Sequence, residues 1–347
     1  MACVRAAPVR QATDPATHTI VNDTTEKMLT ISVVIAVYNQ RSYIEDAIRS
    51  VQGQDWPVQE IIVVDDGSTD ADYRELETLY DRVRVIRTEN RGVSRARNLG
   101  AARTNSSVVT FIDADDVWLP GKLSRQMNYL EQNESVDAVF CESVFWFPTR
   151  GDDGCETWHA ANASKSHQNK PYRIRRLRYI ELLCHEHHGH IGTLLIRKAA
   201  FTALGGFDER RRYGEDHELY IRASQSFRID ILEYPGMLYR QHAESATHKL
   251  PKANHLAEVM VEAIERYGLE SGDSVVVNKR AVQRRLAYLH FGHGRLHFLF
   301  GSHAVAINEF WRSCKYRFDL LTVIYLITAV TPGGRSLARC LRKLFKR

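Results

Sequence analysis

Three aspartates, Asp113, Asp115 and Asp116, stand within four positions of one another directly after the run Val108–Ile112. Apart from Thr110 this run is apolar and β-branched or aromatic, which is typical of a strand buried on both faces of a parallel sheet. In open α/β sheets, ligands bind at the carboxyl ends of the strands. Crowded carboxylates repel one another unless a cation or a shared proton relieves the repulsion. Asp113 and Asp115 are therefore candidate ligands for Mg²⁺ or Mn²⁺, which usually also holds substrate phosphates. A solvated acidic turn before a helix is the alternative.

A second acidic group follows another apolar run. Glu60–Val64 leads directly into Asp65 and Asp66, and Gly67 supplies the residue type that a tight turn needs. Carboxylates thus stand where two different buried strands are expected to end, and the sequence predicts a polar ligand site there.

A histidine-rich segment, Cys184–His190, is the third feature with chemical potential. Its spacing fits none of the usual zinc motifs. We therefore expect it to form a loop at or beside an active site rather than a metal centre.

Strands and helices alternate around these residues. The sequence predicts four buried strands at 31–37, 60–64, 83–86 and 108–112, with helices at 43–51, 73–80 and 93–102 between them. This alternation is the signature of right-handed βαβ crossovers and a parallel sheet. Further along, we expect a helix at 122–133, a strand at 137–141, a variable loop at 149–170, a helix opened by the basic residues 173–178, a strand at 193–196, a short helix at 199–204, a helix from 213 to 223, and closing strands at 229–232 and 237–240.

The composition is that of a globular protein with no strong charge bias. The 347 residues include 47 Lys and Arg against 42 Asp and Glu, a formal charge of +5, and nothing in this balance points to nucleic acid. The six cysteines lack C-x-x-C spacing, so neither a zinc site nor a disulfide framework is predicted and a reducing cytoplasm is expected. Residues 1–28 lack the apolar core of a signal peptide and are expected to be a disordered lead-in. The run Leu320–Val330 is too short to span a membrane, which takes about 20 residues.

The C-terminal end differs from the rest of the chain. Between Arg335 and Arg347, basic residues alternate at helical spacing with Leu337, Leu341 and Leu344, and no acidic residue is present. A short helix with an apolar and a cationic face suits an anionic membrane surface. Packing of the same helix against its own domain is the alternative.

Taken together, six segments resemble the family 2 glycosyltransferases with the GT-A fold, in the family's order. They are Ser32–Asn39, Val63–Asp70, Asn90–Asn98, Asp113–Asp116, Gly205–Asp208 and Gly214–Asp216. The resemblance implies an α/β fold of GT-A type, with a Rossmann-like, mostly parallel sheet flanked by helices. It covers roughly residues 30–245 and implies a GT-A domain at 29–250. Outside the resemblance, the helical pattern from about Leu256 onwards predicts a helical C-terminal region at 251–347 with a basic amphipathic end.

The resemblance also implies that a nucleotide-diphosphate sugar lies across the strand ends. The positions that match the family's nucleotide-binding residues are Ala36, Tyr38, Asp66, Gly92, Arg97, Asp113 and Ala114. Among them Tyr38 would stack on the base, Asp66 would bind it, and Asp113 would contact the ribose.

Asp115 resembles the family's ligand for Mn²⁺ or Mg²⁺, and His242 stands where relatives carry a histidine near the diphosphate. Asp216 resembles the general base that deprotonates the acceptor hydroxyl. One base without a carboxylate nucleophile implies direct displacement and inversion, by analogy with the inverting glycosidases.

The resemblance implies a UDP-sugar as donor and a glycan or lipid-linked acceptor, in synthesis of cell-surface polysaccharide or glycoconjugates. The chain lacks the Gln-x-x-Arg-Trp motif and the flanking membrane spans of the polymerising members. Both absences favour transfer of one sugar at a time. The expected location is the cytoplasm, and the basic C-terminal end, if it does not pack on its own domain, would attach the protein peripherally to the inner face of the membrane. Two alternatives are a phosphate-receiver domain, which would be about 120 residues long with a lysine at a later strand end, and a non-catalytic nucleotide-binding relative that acts as a partner subunit.

Overall fold

The computed structural model describes residues 28–148, 171–185, 189–242, 250–272 and 274–331. The predicted lead-in apart from Met28, the whole of the predicted loop at 149–170, and the basic helix predicted at 335–347 lie outside the described residues. So do three residues of the histidine-rich segment, 186–188.

A nine-stranded mixed sheet forms the centre of the described chain. The strands are β1 Ile31–Val37, β2 Glu60–Asp65, β3 Val83–Arg87, β4 Val108–Asp113, β5 Val117–Trp118, β6 Ala138–Trp146, β7 Ile174–Leu177, β8 Leu194–Arg197 and β9 Ile229–Arg240. Their order in the sheet is β3-β2-β1-β4-β8-β6-β9-β5, and β7 pairs with β9.

The predicted α/β class and the parallel set β1–β4 are confirmed. Neighbouring strands among these four run parallel, so their carboxyl ends meet at one edge of the sheet. In the register of that edge Ala36 lies opposite Asp113, and Val37 lies opposite Asp65. Beyond β4 the sheet is mixed, since β8 runs antiparallel to both β4 and β6 while β6 and β9 are parallel.

Helices cover both faces of the sheet. They are α1 Ile44–Gln52, α2 Leu76–Leu79, α3 Val93–Arg103, α4 Lys122–Gln132, α5 Tyr179–Cys184, α6 Lys198–Ala203, α7 Glu215–Ser226, α8 His255–Tyr267, α9 Lys279–Phe300, α10 His303–Tyr316 and α11 Leu320–Val330. Alternation along β1 explains the two layers, because Val33 and Ile35 pack toward α1 and α4 while Val34 and Ala36 pack toward α3 and α7.

The prediction that basic residues 173–178 open a helix is wrong. The segment forms β7, which pairs antiparallel with β9, and the helix begins only at Tyr179. Only Leu177 of the four strand residues is buried, so apolar periodicity gives no strand signal here. The strand is instead held by its backbone pairing and by an ion pair across the strands, in which Arg175 Nε lies 3.2 Å from a Glu233 carboxylate oxygen.

The two predicted closing strands are one strand, β9, which continues through Pro235 and Gly236. Gly236 allows close packing there, because a Cβ at this position would lie 2.4 Å from Cys141 Sγ. The two-residue strand β5, which pairs with β9, was not predicted.

A buried carboxylate organises the helical C-terminal region. Glu309 on α10 accepts hydrogen bonds of 2.9 Å from Asn254 Nδ2 and His290 Nδ1, and His293 Nδ1 lies 3.3 Å away. Burial acts to raise the pKa of Glu309, but these partners outweigh it and hold the pKa well below its usual value. Glu309 is therefore a carboxylate that fixes α9, α10 and the segment before α8 to one another.

We expect Glu309→Ala to lower the free energy of unfolding by about 2–3 kcal/mol, because buried donors would lose their shared acceptor. Denaturant unfolding of the full chain measures the change, with the exposed Glu265→Ala on α8 as the control. Equal losses in the two variants would show that the network adds nothing specific.

Candidate active site

The acidic edge of the sheet is tied to α7 by one buried arginine. Arg97, which is 4% exposed on α3, places Nη2 at 2.5 Å from Asp113 Oδ1 and Nη1 at 2.9 Å from Glu215 Oε1. The Phe207 ring lies against the same guanidinium, 5.4 Å from its centre. Burial alone would lower the pKa of Arg97, but the charges of Asp113 and Glu215 raise it above its ordinary value. The side chain is therefore a fixed cation between the last residue of β4 and the first residue of α7.

Asp216 is the second residue of α7, next to the carboxylate that Arg97 holds. The helix begins after Gly214, which has a φ of +73°, and Asp216 Oδ1 accepts a 2.7 Å hydrogen bond from the His217 amide. Burial and then the charge of Glu215 raise the pKa of Asp216 to about 7, against the opposing effects of the His217 amide and Arg97. A carboxyl group with a pKa near neutrality suits proton transfer at physiological pH.

Asp115 and His242 meet where β9 ends beside the β4 edge. His242 Nε2 lies 2.9 Å from Asp115 Oδ2, and both side chains are largely buried, at 10% and 15% exposed. The His242 ring packs against Tyr43 with centroids 4.6 Å apart. Among the described residues no three His, Cys, Asp or Glu side chains converge as a complete metal cage. The pair offers one oxygen and one nitrogen donor, so a metal bound there would need further ligands from the substrate.

Asp116 is buried and stabilises the fold beside the site, whereas Asp113 and Asp115 lie at the carboxyl edge of the sheet. It is 1% exposed, and its Oδ1 accepts from the Arg240 amide at 3.1 Å. Burial, followed by the charges of Asp115 and Asp113, raises the pKa of Asp116 well above its ordinary value. The alternative of a solvated acidic turn before a helix therefore does not hold for this residue.

Arg240 orders this corner of the site. Its Nε donates to the Asp115 carbonyl oxygen at 2.7 Å, and its Nη2 donates to Asp46 Oδ2 at 2.7 Å. The guanidinium lies between the rings of Tyr43 and Trp146, at 5.0 and 4.4 Å from their centroids. These contacts connect β9, α1 and the turn after β4, and they fix the backbone that carries Asp115.

Asp66 binds the loop that leads into α3. Its carboxylate accepts hydrogen bonds from the amides of Arg91 at 2.9 Å and Gly92 at 2.8 Å, and the side chain is buried. Gly92 precedes the first residue of α3 with a φ of +98°, which favours glycine. Asp66 thereby positions the helix on which Arg97 lies.

The other predicted nucleotide-binding residues lie at the same edge in different ways. Tyr38 follows β1 and is 48% exposed, so its ring is accessible to a base. The methyl groups of Ala36 and Ala114 are buried in the core, which leaves their backbone as the part that can face a ligand.

The histidine-rich segment reaches the neighbouring part of the sheet. His190 Nδ1 lies 2.7 Å from Ser143 Oγ, and its ring stacks on Tyr239 at 3.9 Å, three residues before His242. This position agrees with a loop beside the site. His187 and His188 lie outside the described residues.

Sequence reasoning missed Arg240, Tyr43 and the pairing of Glu215 with Arg97. Arg240 carried a usable signal, because a basic residue at the end of a closing strand, two residues before His242, could face the acidic edge. The Glu215 pairing carried none, since its partner lies 118 positions away in the chain.

Comparison with known proteins gives a consistent family. The sequence model of the family described as "Glycosyl transferase family 2" matches residues 32–205, half of the chain. An uncharacterized glycosyltransferase of Rickettsia prowazekii (strain Madrid E) is 27% identical over 225 residues, which cover 63% of this chain and 66% of that protein. The putative teichuronic acid biosynthesis glycosyltransferase TuaG of Bacillus subtilis (strain 168) is 38% identical over 104 residues, which cover 29% of this chain and 41% of TuaG. The chain thus spans less than two thirds of these curated relatives.

Residues 1–349 of S. aureus TarS, solved in complex with UDP-GlcNAc, superpose with a TM-score of 0.62 at 17% identity. The match covers 92% of this chain and 93% of that one, and it confirms the predicted GT-A fold. Because the family model matches half of its residues, the chain belongs to glycosyl transferase family 2.

Proposed function

We propose that the chain transfers one sugar from a UDP-sugar to a hydroxyl of a glycan or lipid-linked acceptor, with inversion, in the synthesis of cell-surface polysaccharide or glycoconjugates. The observation that carries the proposal is the chain of contacts Asp113–Arg97–Glu215, which joins the end of β4 to the start of α7. It supports a role for the neighbouring Asp216, whose pKa is raised to about 7, at the carboxyl edge of the sheet.

In this mechanism Asp216 takes the proton of the acceptor hydroxyl as its oxygen forms a bond to the anomeric carbon. The bond from that carbon to the diphosphate oxygen breaks, and the nucleoside diphosphate leaves with the bonding electrons. Glu215 is already paired with Arg97, so Asp216 is the carboxyl of this pair that can act as base. One displacement without a covalent intermediate inverts the anomeric configuration.

A divalent metal fits the pair Asp115 and His242. Their mixed oxygen and nitrogen donors suit Mn²⁺ better than Mg²⁺, which prefers oxygen ligands alone. When bound, such a metal offsets the negative charge of a leaving diphosphate. Arg240 holds the Asp115 carbonyl, and Tyr43 packs on His242, so both donors are oriented before a substrate arrives.

The choice of donor and setting rests on the relatives. The TarS structure contains UDP-GlcNAc, and TuaG is named for teichuronic acid biosynthesis. The first favours a UDP-sugar donor for this chain, and the second favours a role in cell-surface polysaccharide synthesis. The basic helix predicted at 335–347 supports peripheral attachment to an anionic membrane, where a lipid-linked acceptor would be found.

A screen of UDP-sugars against glycan and lipid-linked acceptors tests the proposal, with release of UDP and formation of the glycoside measured with Mn²⁺, with Mg²⁺ and with chelator. We expect Mn²⁺-dependent transfer from at least one UDP-sugar and a product of inverted configuration. UDP binding without turnover on any pair would instead support the non-catalytic relative.

We expect Asp115→Ala to weaken Mn²⁺-dependent UDP binding by on the order of a hundredfold, since loss of even a supporting partner of a metal ligand costs about 10–100-fold in metal affinity. The fold should be retained because Asp115 lies at a strand end. Calorimetric titration with UDP, with and without Mn²⁺, measures the effect, and the exposed Asp81→Ala is the control. Unchanged affinity for UDP with Mn²⁺ would remove Asp115 from the metal site.

A further inference from the structure

The last described helix, α11, leaves several apolar side chains exposed while it buries both of its threonines. Thr322 and Thr328 point inward and are 2% and 4% exposed, whereas Leu320, Ile327 and Val330 are 67%, 56% and 59% exposed. These three positions lie on one side of the helix, given 3.6 residues per turn. Ala329 and Tyr325 do pack inward, but a helix on the surface of a soluble domain normally turns polar residues, not apolar ones, outward.

Local hydrogen bonds make the inward threonines tolerable. The Thr322 hydroxyl donates to Asp319 Oδ2 at 3.1 Å, and the Thr328 hydroxyl donates to the Ile324 and Tyr325 carbonyl oxygens at 3.0 and 2.9 Å. Tyr325 fixes the inward side, because its ring contacts Phe310 at 5.5 Å. The burial of the threonines, and with it the exposure of the apolar outer side, is thus built into the packing of α11.

The exposed apolar residues begin before α11, and the sequence on both sides of the helix is rich in basic residues. Phe318 is 76% exposed in the turn before the helix, and Leu321 is 39% exposed. No charged residue occurs between Leu320 and Val330. From His303 to the C-terminus the sequence has two acidic residues, of which Glu309 is buried, and nine basic residues: Arg312, Lys315, Arg317, Arg335, Arg339, Arg342, Lys343, Lys346 and Arg347.

We propose that the outer face of α11 lies in the interface of an anionic membrane, with Leu320, Ile327 and Val330 among the acyl chains. This inference rests on the proposed function, whose acceptor can be lipid-linked. Eleven residues span about 16 Å, roughly half the hydrocarbon thickness, so the helix lies along the surface. The described chain indeed holds no helix that is long and apolar enough to cross a membrane.

The charge distribution favours lipid over a second copy of the chain. The sequence that adjoins α11 carries a clear excess of positive charge, which disfavours association with an identical, equally basic copy, since like charges repel. An anionic lipid surface attracts such a sequence, at about 1 kcal/mol for each Lys or Arg close to it. Apolar burial by α11 and attraction by the basic residues then act on the same surface.

Vesicle co-sedimentation of the full chain tests this assignment, with vesicles of phosphatidylcholine alone and of phosphatidylcholine mixed with phosphatidylglycerol. We expect the triple variant Leu320→Ser/Ile327→Ser/Val330→Ser to reduce binding to the anionic vesicles by about tenfold or more, because buried apolar groups are lost. The control variant Leu79→Ser/Ile174→Ser/Val276→Ser changes equally exposed apolar residues on other elements and should bind as the wild type does.

Salt separates the two contributions. Binding through the basic residues weakens as salt rises, whereas burial of an uncharged face does not. A variant with Arg339, Arg342 and Lys346 changed to Gln should therefore keep the salt-insensitive part that the α11 variant loses. If the α11 variant and the basic-residue variant both bind less than the wild type at low salt but equal it at high salt, α11 contributes no salt-insensitive binding. The assignment of α11 is then overturned.

A second measurement covers the case in which the triple variant folds poorly. Ile327→Trp should show a blue-shifted emission with anionic vesicles and quenching by brominated acyl chains. Unshifted emission would overturn the proposal, as would a dimer in sedimentation velocity that the α11 substitutions dissociate without any change in vesicle binding. UDP release in vesicle-free solution should be the same in the α11 variant and the wild type. If neither protein released UDP while the wild type still bound vesicles, the result would count against the proposed transfer reaction and not against the membrane face.

Discussion

Asp216→Asn is expected to lower turnover by about 10²–10⁴-fold, the range that general base catalysis contributes, while UDP affinity stays nearly unchanged. The substitution keeps the size of the side chain and its hydrogen bond from the His217 amide, but it removes the proton acceptor. Initial rates of glycoside formation at saturating donor and acceptor measure the loss. Calorimetric titration with UDP shows whether the binding edge is intact.

The pH profile gives an independent check on the same residue. The pKa of Asp216 is raised to about 7, so the carboxylate form needed for proton abstraction is present above that pH and is lost below it. Turnover should fall by about tenfold for each pH unit below 7, since the base form falls in that proportion. An unperturbed aspartate would place this limb near pH 4.

Glu215→Gln is the matched variant. Burial is the largest cause of the raised pKa of Asp216, and the charge of Glu215 is the second. Removing that charge should lower the pKa and shift the acidic limb to lower pH, with turnover above pH 7 reduced far less than in Asp216→Asn. If Asp216→Asn retains near-normal turnover and Glu215→Gln does not, Glu215 is the base.

Sequence patterns predicted the edge of the sheet because the signals there are local. The apolar runs that become β1, β2 and β4 are continuous, and parallel strands with right-handed crossovers leave few arrangements open. The sequence therefore predicts Asp65 and Asp113 at one edge of the sheet, and the strand register confirms it. The strand β7 was missed for the converse reason, because its stability comes from pairing with β9 and not from its own side chains.

The roles of the acidic residues depend on contacts with residues that are distant in the chain. Local sequence patterns do not predict those contacts. Asp115 and Asp116 are adjacent and chemically identical, yet one faces His242 and the other is buried beneath β9. Only the return of β9 past the β4 turn creates that difference. The raised pKa of Asp116 follows from its burial and from the charges of its two neighbours.

Arg97→Met is expected to reduce the free energy of unfolding by about 3–5 kcal/mol, the cost of breaking a buried ion pair from one side. Arg97 is 4% exposed and is held by two carboxylates, of which Glu215 is itself largely buried. Methionine fills much of the same volume, so the loss reflects two negative charges left without their cation rather than a cavity. Arg103→Met, an exposed position on the same helix, is the control and should change stability by less than about 0.5 kcal/mol.

A triple variant separates charge from packing. In Arg97→Met/Asp113→Asn/Glu215→Gln the carboxylates are neutral, so much of the lost stability should return if unpaired charge is the cause. Recovery of stability without recovery of turnover would indicate that the three charged groups also serve the reaction together, beyond their part in stability. If Arg97→Met is no less stable than Arg103→Met, the contacts of Arg97 do not join the two elements. The proposal that this arginine aligns Asp216 with the donor would then fail, because the alignment depends on those two ion pairs.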